Sequence, residues 1–248
     1  MPAEDLDQSA GRADRFHSTC WDAVLAARNP ADPQAREALA ELCRTYWYPL
    51  YAYARRKGSS PEQAEDLTQG FFSEGLARGF FRDVDPTRGK FRTFLLASFE
   101  NYLGNRRAWE RRVKRGGRVE TVSIDGGSAE ARYLLEPAHV ATAERLYDRR
   151  WALTVLDRAL ERLERKMAND GKGPLFDRLK PALLGAEDAV GYHRVGDELG
   201  MTEGAVKVAA HRMRARLGAF IREEIAQTVA DASHIDDEIR DLFSALGS

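Results

Sequence analysis

An all-α fold is predicted by three observations on the 248-residue chain. Apolar residues recur at three- and four-residue spacings in almost every long segment, as the face of an amphipathic helix requires. No segment alternates apolar and polar residues like a half-buried strand, and no internal repeat appears. Glycine- and proline-rich clusters divide the helical stretches from one another. A chain this long suits one or two domains and can bury a substantial core.

In chain order, residues 1–18 are polar and small and are expected to form a disordered N-terminus. A first helical domain is expected over 19–115. It opens with a short helix from Thr19 to Ala27, ending before Asn29-Pro30. A longer helix then runs from about Gln34 towards Lys57, with Leu39, Leu42, Cys43, Tyr46, Trp47, Leu50 and Ala54 as its stripe and Pro49 as a kink. Gly58-Ser59-Ser60-Pro61 ends it. Ser60 and Gln63 then form a capping box around Pro61 at the first helical position. In the helix that follows, Ala64, Leu67, Thr68 and Phe71 face inward. Glu65, Asp66, Gln69 and Ser73 face outward, either to a docking partner or to solvent. Beyond the Arg82–Lys90 loop, Phe91, Phe94, Leu95, Phe99 and Tyr102 mark the inner stripe of another helix, whose far end, NRRAWERRVKRGGR, is strongly basic and carries Trp109.

Residues 116–143 lack clear periodicity and are expected to be a linker. A second helical domain is expected over 144–222. A long helix from about Ala143 to Asn169 carries Trp151, Val155, Leu156, Leu160 and Leu163 inside. The cluster Asp170–Pro174 breaks it, and a short helix from Leu175 to Leu184 follows.

Next comes Tyr192–Leu217, YHRVGDELGMTEGAVKVAAHRMRARL, which reads as two helices around a tight turn at Gly200. Thr202 is a good N-cap for the second helix. That helix places Val206, Ala210, Met213 and Leu217 on one stripe and Lys207, His211, Arg212, Arg214 and Arg216 towards solvent. The pattern is that of a DNA-binding helix-turn-helix. An ordinary amphipathic hairpin with a solvated charged face is the competing interpretation.

The net charge is −1, but the charge is unevenly placed. Between Pro86 and Glu120 the local net is +7, and between Glu223 and Ser248 it is −6. Cations beside an exposed aromatic suit nucleic acid, since cations meet phosphates and rings stack on unpaired bases. The same cations could simply complement a helix dipole. The 223–248 extension places Ile235, Ile239, Leu242, Phe243 and Leu246 on one helical face. Either that face completes the core of the helix-turn-helix domain, or the tail's acids lie near the recognition helix and inhibit it.

No apolar run could span a membrane, and the polar N-terminus carries no signal peptide. Two cysteines, Cys20 and Cys43, suit a reduced cytoplasmic protein. His17 and Cys20 are spaced like half a zinc site with no second half. No metal, cofactor or catalytic constellation is expected.

The segments AEDLTQGFF, GKFRTFLLASFENYLGNRR and GDELGMTEGAVKVAAHRMRARL occur in this order. Together they resemble a bacterial RNA polymerase sigma factor of the extracytoplasmic-function group of the sigma-70 family, over roughly Leu39–Arg112 and Leu146–Arg222. The resemblance implies two helical domains, a region 2-like bundle and a region 4-like helix-turn-helix, joined by a linker. It implies that core RNA polymerase is bound through its clamp coiled coil and flap, with Glu65, Asp66, Gln69 and Phe72 at the clamp contact. Arg88, Lys90, Arg92, Asn101, Arg106 and Arg107 would engage the −10 element and hold its strands apart. Thr202, Glu203, Lys207, His211, Arg212 and Arg214 would read the −35 element.

The chain departs from that family's pattern in several places. Gly196 stands where alanine is usual and should loosen its helix slightly. Val208 and Ala209 replace a polar and basic pair, and the linker, the 167–191 segment and the acidic tail are additional. An anti-sigma factor, or inhibition by the tail itself, is left open as a regulator. A two-domain helix-turn-helix regulator with a sensing N-terminal half is the alternative. It leaves the DLTQ helix and the basic aromatic helix end unexplained.

Overall fold

The structure, a computed structural model, describes residues 33–78, 90–113, 126–136, 142–185, 190–229 and 231–247. Among them every regular element is helical, in accord with the all-α expectation. The elements are α1 (Pro33–Arg56), α2 (Pro61–Arg78), α3 (Phe91–Val113), α4 (Gly126–Leu134), α5 (Ala143–Asn169), α6 (Gly173–Leu183), α7 (Tyr192–Leu199), α8 (Glu203–Ala226) and α9 (Ile235–Leu246), the last preceded by a 3-10 turn at Ala232–His234. No helix among the described residues is long and apolar enough to cross a membrane. The expected helix over Thr19–Ala27, the His17–Cys20 pair and Arg88 lie outside the described residues.

Helix α5 is the axis of the packing. Leu146, Tyr147, Trp151, Ala152, Val155, Ala159, Leu160 and Leu163 are all buried, on more than one face, so α5 needs cover on several sides. Helices α1, α6, α8 and α9 supply it. The start of α5 is fixed by Thr142, whose Oγ1 accepts from the Arg145 N–H at 3.1 Å. Helix α1 continues through Pro49 and buries Leu42, Tyr46, Leu50, Tyr51, Tyr53 and Ala54. Its tyrosine hydroxyls reach acids on other helices, the Tyr51 hydroxyl donating to Glu130 at 2.8 Å and that of Tyr53 to Glu144 at 3.3 Å. The capping box forms as expected: the Gln63 N–H donates to Ser60 Oγ at 3.2 Å and the Ser60 N–H to Gln63 Oε1 at 3.1 Å.

Two features differ from the sequence-based expectation. Part of the 116–143 linker is helix α4, and it is anchored. Ala129 is buried, and Glu130 takes a two-pronged ion pair from Arg55, with Nε at 2.8 Å and Nη2 at 2.7 Å. Arg132 also lies 4.1 Å from the Tyr48 ring centre and Arg55 4.8 Å from that of Tyr133, contacts with distant α1 that local spacing does not announce. The boundary at 222/223 also falls inside a helix. Helix α8 continues to Ala226, burying Ile221 and Ile225 and tying the buried Glu224 to Arg158 at 2.8 Å and Arg162 at 2.7 Å. One core cluster holds residues from both halves of the chain.

Candidate nucleic-acid interface

Helices α7 and α8 form the turn that the sequence predicts. Gly200 adopts φ 65°, the left-handed region, and closes α7 by donating its N–H to the Gly196 carbonyl. Thr202 caps α8, its Oγ1 accepting from the Ala205 N–H at 3.2 Å. Val206, Ala210, Met213 and Leu217 are buried, which turns the opposite face of α8 to solvent.

Gly196 has a physical reason that its sequence context hides. It is buried, and a Cβ there would come 2.5 Å from the Met201 carbonyl oxygen. The turn therefore folds back onto Gly196. The absence of a Cβ is what lets the two helices close this tightly.

The outer face of α8 presents Glu203, Lys207, Val208, His211 and Arg212, all exposed, with Lys207 paired to Glu203 at 2.7 Å. Val208 is the apolar member of this otherwise polar row. Thr202 is exposed but engaged as the cap. Arg214 is half-buried and donates from Nη2 to the Tyr192 hydroxyl at 3.2 Å, bracing α7 against α8. Its position suits support of the turn better than contact with a base.

Helix α3 divides into two parts. Towards its C-terminal end, Asn101 and Arg107 are exposed and Trp109 is 48% exposed. Arg106 is half-buried, bridging Glu74 at 2.9 Å and Tyr102 at 2.9 Å with its guanidinium 5.9 Å from the Trp109 ring centre. Phe91, Leu95 and Phe99 bury the opposite side. This end offers a flat ring beside cations, the combination that stacks on bases and neutralises phosphates.

At its N-terminal end the cations are already occupied. Arg92 is 8% exposed. Its guanidinium lies 4.7 Å from the Trp151 ring centre, pairs with Asp148, and donates to Glu238 at 2.7 Å and Asp241 at 2.6 Å. Lys90 meets Glu238 at 2.8 Å and also pairs with Asp241. Burial alone would depress both cations, but hydrogen bonds and charge from the α9 acids outweigh it and raise their pKa values. Burial likewise pushes the Asp148 carboxyl up, with Arg92 partly offsetting it. Glu238, at 0% exposure, is the pivot of this cluster. As placed, Arg92 is a buried internal partner and not an outward contact, because its donors are used inside the fold. No family model, no curated protein and no solved structure matches the chain.

Of the tail's acids, Glu238 and Asp241 lie against Lys90 and Arg92, Asp236 reaches Arg222 at 2.5 Å, and Glu223 and Glu224 pair with Arg162; among the described residues none of these pairs involves Lys207 or Arg212. The apolar face packs as its spacing suggests, burying Ile235 and Leu242 on α5 and α8, although Phe243 is exposed. Glu238, Asp241 and Asp148 are the members of this cluster that sequence reasoning missed; Trp151 was expected inside, but not beneath a cation. The opposite charges of the 86–120 and 223–248 stretches were the available signal, but charge totals do not say which cation meets which acid.

On α2 the expected docking face is only partly outward. Gln69 is exposed and Asp66 half-buried. Glu65 is 3% exposed, and Phe72 is buried edge-on against Phe71 at 5.5 Å. Glu65 and Phe72 are thus corrected from surface contacts to interior residues, since a partner cannot touch a side chain the fold encloses. Thr68 is also interior, as expected, its Oγ1 donating to the Ala64 carbonyl at 2.7 Å. Cys43 on α1 is half-buried, and burial pushes its thiol up to about 11 despite nearby Arg44. Among the described residues no group of three or more His, Cys, Asp or Glu side chains could hold a metal ion.

Proposed function

We propose that this chain is a sigma factor, which binds core RNA polymerase and directs it to promoters through a −35 element and a −10 element. The observation that carries the proposal is the outer face of α8. A capped helix presents Glu203, Lys207, His211 and Arg212 as one exposed row and is locked from behind by a buried stripe. Such a row fits the major groove, where side chains near a recognition helix's N-terminus meet base edges. Val208 in that row supplies an apolar contact of the kind a thymine methyl accepts. The exposed Asn101, Arg107 and Trp109 on α3 are suited to an unpaired −10 strand. Asp66 and Gln69 remain for polymerase docking.

The shared core of α1 and α5 favours a second reading, a single-bodied helix-turn-helix regulator in which the N-terminal half supports the DNA-binding half. Co-purification with core RNA polymerase separates the two. A sigma factor forms a stoichiometric complex that weakens when Asp66 and Gln69 are both changed to alanine. A regulator forms no such complex.

A further inference from the structure

We propose that α9 is an internal substitute for nucleic-acid phosphate. On this view its Glu238 and Asp241 occupy the cations Lys90 and Arg92, hold the chain closed, and must release before both promoter elements can be engaged. The proposal rests on the sigma-factor reading of α3 and α8.

The chemistry of the contact is the first support. Two carboxylates spaced one helical turn apart present their oxygens to a lysine and an arginine, with Arg92 Nε at 2.7 Å from Glu238 and Nη2 at 2.6 Å from Asp241. A phosphate offers the same cations the same kind of paired anionic oxygens. When α9 leaves, Asp148 on α5 still pairs with Arg92, so the arginine is not stranded without a counter-charge.

Distance is the second support. The Phe91 N–H donates to the Thr228 carbonyl at 3.4 Å, which pins the start of α3 to the end of α8. The helical rise from Lys207 to Thr228 is about 30 Å, so Lys90 lies within about 35 Å of Lys207. On a duplex, the −35 and −10 elements stand about 25 base pairs apart, or about 85 Å. Lys90 cannot serve the second element while Lys207 serves the first unless the junction at Phe91 and Thr228 opens.

The third support is how α9 is attached. Its inner face buries Leu242 and Ile235 on α5 and α8, while its acids grip α3. It therefore bridges the half of the chain that carries Lys90 to the half that carries Lys207. Arg149 Nη1 donates to the Leu246 carbonyl at 3.3 Å and fastens the far end. A helix of this length has little stability alone, so losing the acid contacts should loosen it as a unit.

The test uses the full chain with Glu238→Gln and Asp241→Asn together, which keep shape and remove both charges. Binding of a single-stranded oligonucleotide should tighten about tenfold near 50 mM salt, and the gain should shrink near 200 mM. Amide exchange over 235–246 should accelerate while α8 stays protected. If the double variant fails to fold, Asp241→Asn alone removes a half-exposed charge and should still give a gain of about threefold. Unchanged single-strand affinity in a folded variant overturns the proposal, as does loss of folding in both variants. Core-polymerase binding is measured in parallel on the same proteins. Polymerase binding without any gain on single strands removes the latch and leaves the sigma reading standing. A gain on single strands without polymerase binding supports the latch and removes the sigma reading.

Discussion

The cations at the start of α3 and those on the outer face of α8 are alike in sequence and opposite in setting. Lys207 and Arg212 stand in water, and the ion pair that Lys207 makes with Glu203 is local and exposed. Arg92 is packed on Trp151 and shared among acids from α5 and α9. A solvated cation costs little to keep free and can neutralise a phosphate at once. A buried one was desolvated on folding and is shared by several acids, so removing the cation leaves those acids short of a counter-charge. The comparison separates a solvated face from one whose cations the fold already occupies.

The largest effect should come from breaking the closed set. Arg92→Ala leaves the fully buried Glu238 with Lys90 as its remaining cation in this cluster, and stability should fall by about 3 kcal/mol. Arg212→Ala should change stability by less than about 0.5 kcal/mol. Denaturant unfolding of the two variants side by side measures the difference. Similar losses would mean the two cations are not in different settings.

Gly196→Ala comes next, because its Cβ would press on the Met201 carbonyl at 2.5 Å. Backbone must move to relieve that clash, so stability should drop by about 1–3 kcal/mol, with duplex binding weakened as the turn opens. An alanine variant as stable as the parent would show that the turn is less tight than this geometry implies.

On the open face, Lys207→Ala and Arg212→Ala should each weaken duplex DNA binding by about 1–2 kcal/mol. Removing a cation that neutralises a phosphate should also lower the salt slope of binding by about one. Thermal stability should not change. Binding titrations at several salt concentrations check both points, and an unaltered salt slope would take these residues off the DNA.

The smallest effect is in acid. The hydrogen bond and charge of Lys57 hold Glu144 down at about 2, and Lys90 and Arg92 hold Asp241 below its ordinary value although burial opposes them. A carboxyl depressed on folding adds stability above its unfolded range, near pH 4, and loses it as pH falls through the folded value. Asp148, raised by burial, runs the other way and offsets part of the loss. Melting temperature should therefore decline as pH drops from about 4 towards 2, and Glu144→Gln should flatten part of that decline. The change from Glu144 should be modest, since its pair with Lys57 is exposed.

Much of the fold was legible because it rests on local patterns. The stripe Val206, Ala210, Met213 and Leu217, the Ser60–Gln63 box, the Thr202 cap and the breaks at Gly58 and Gly171 each need only a few neighbouring residues to be recognised. The closed set was not legible, because Arg92 and Glu238 meet across 146 positions and periodicity carries no information about such pairs. Glu65 was placed outward for a similar reason. A charged residue between polar neighbours reads as solvated until a distant helix is known to cover it. Helix α4 was not legible because its anchors, the Glu130 pair with Arg55 and the Arg132 contact with the Tyr48 ring, join it to α1 across 75 positions or more.

Transcription with purified components is the most direct trial of the proposed function. Core RNA polymerase, with and without this chain, is offered a promoter library both as intact duplex and with the strands pre-opened around −10. The expected result is that the chain confers initiation at a defined set of duplex promoters. Lys207→Ala should impair this initiation more on intact than on opened templates. Initiation that is no more selective with the chain than without it would contradict the sigma-factor assignment.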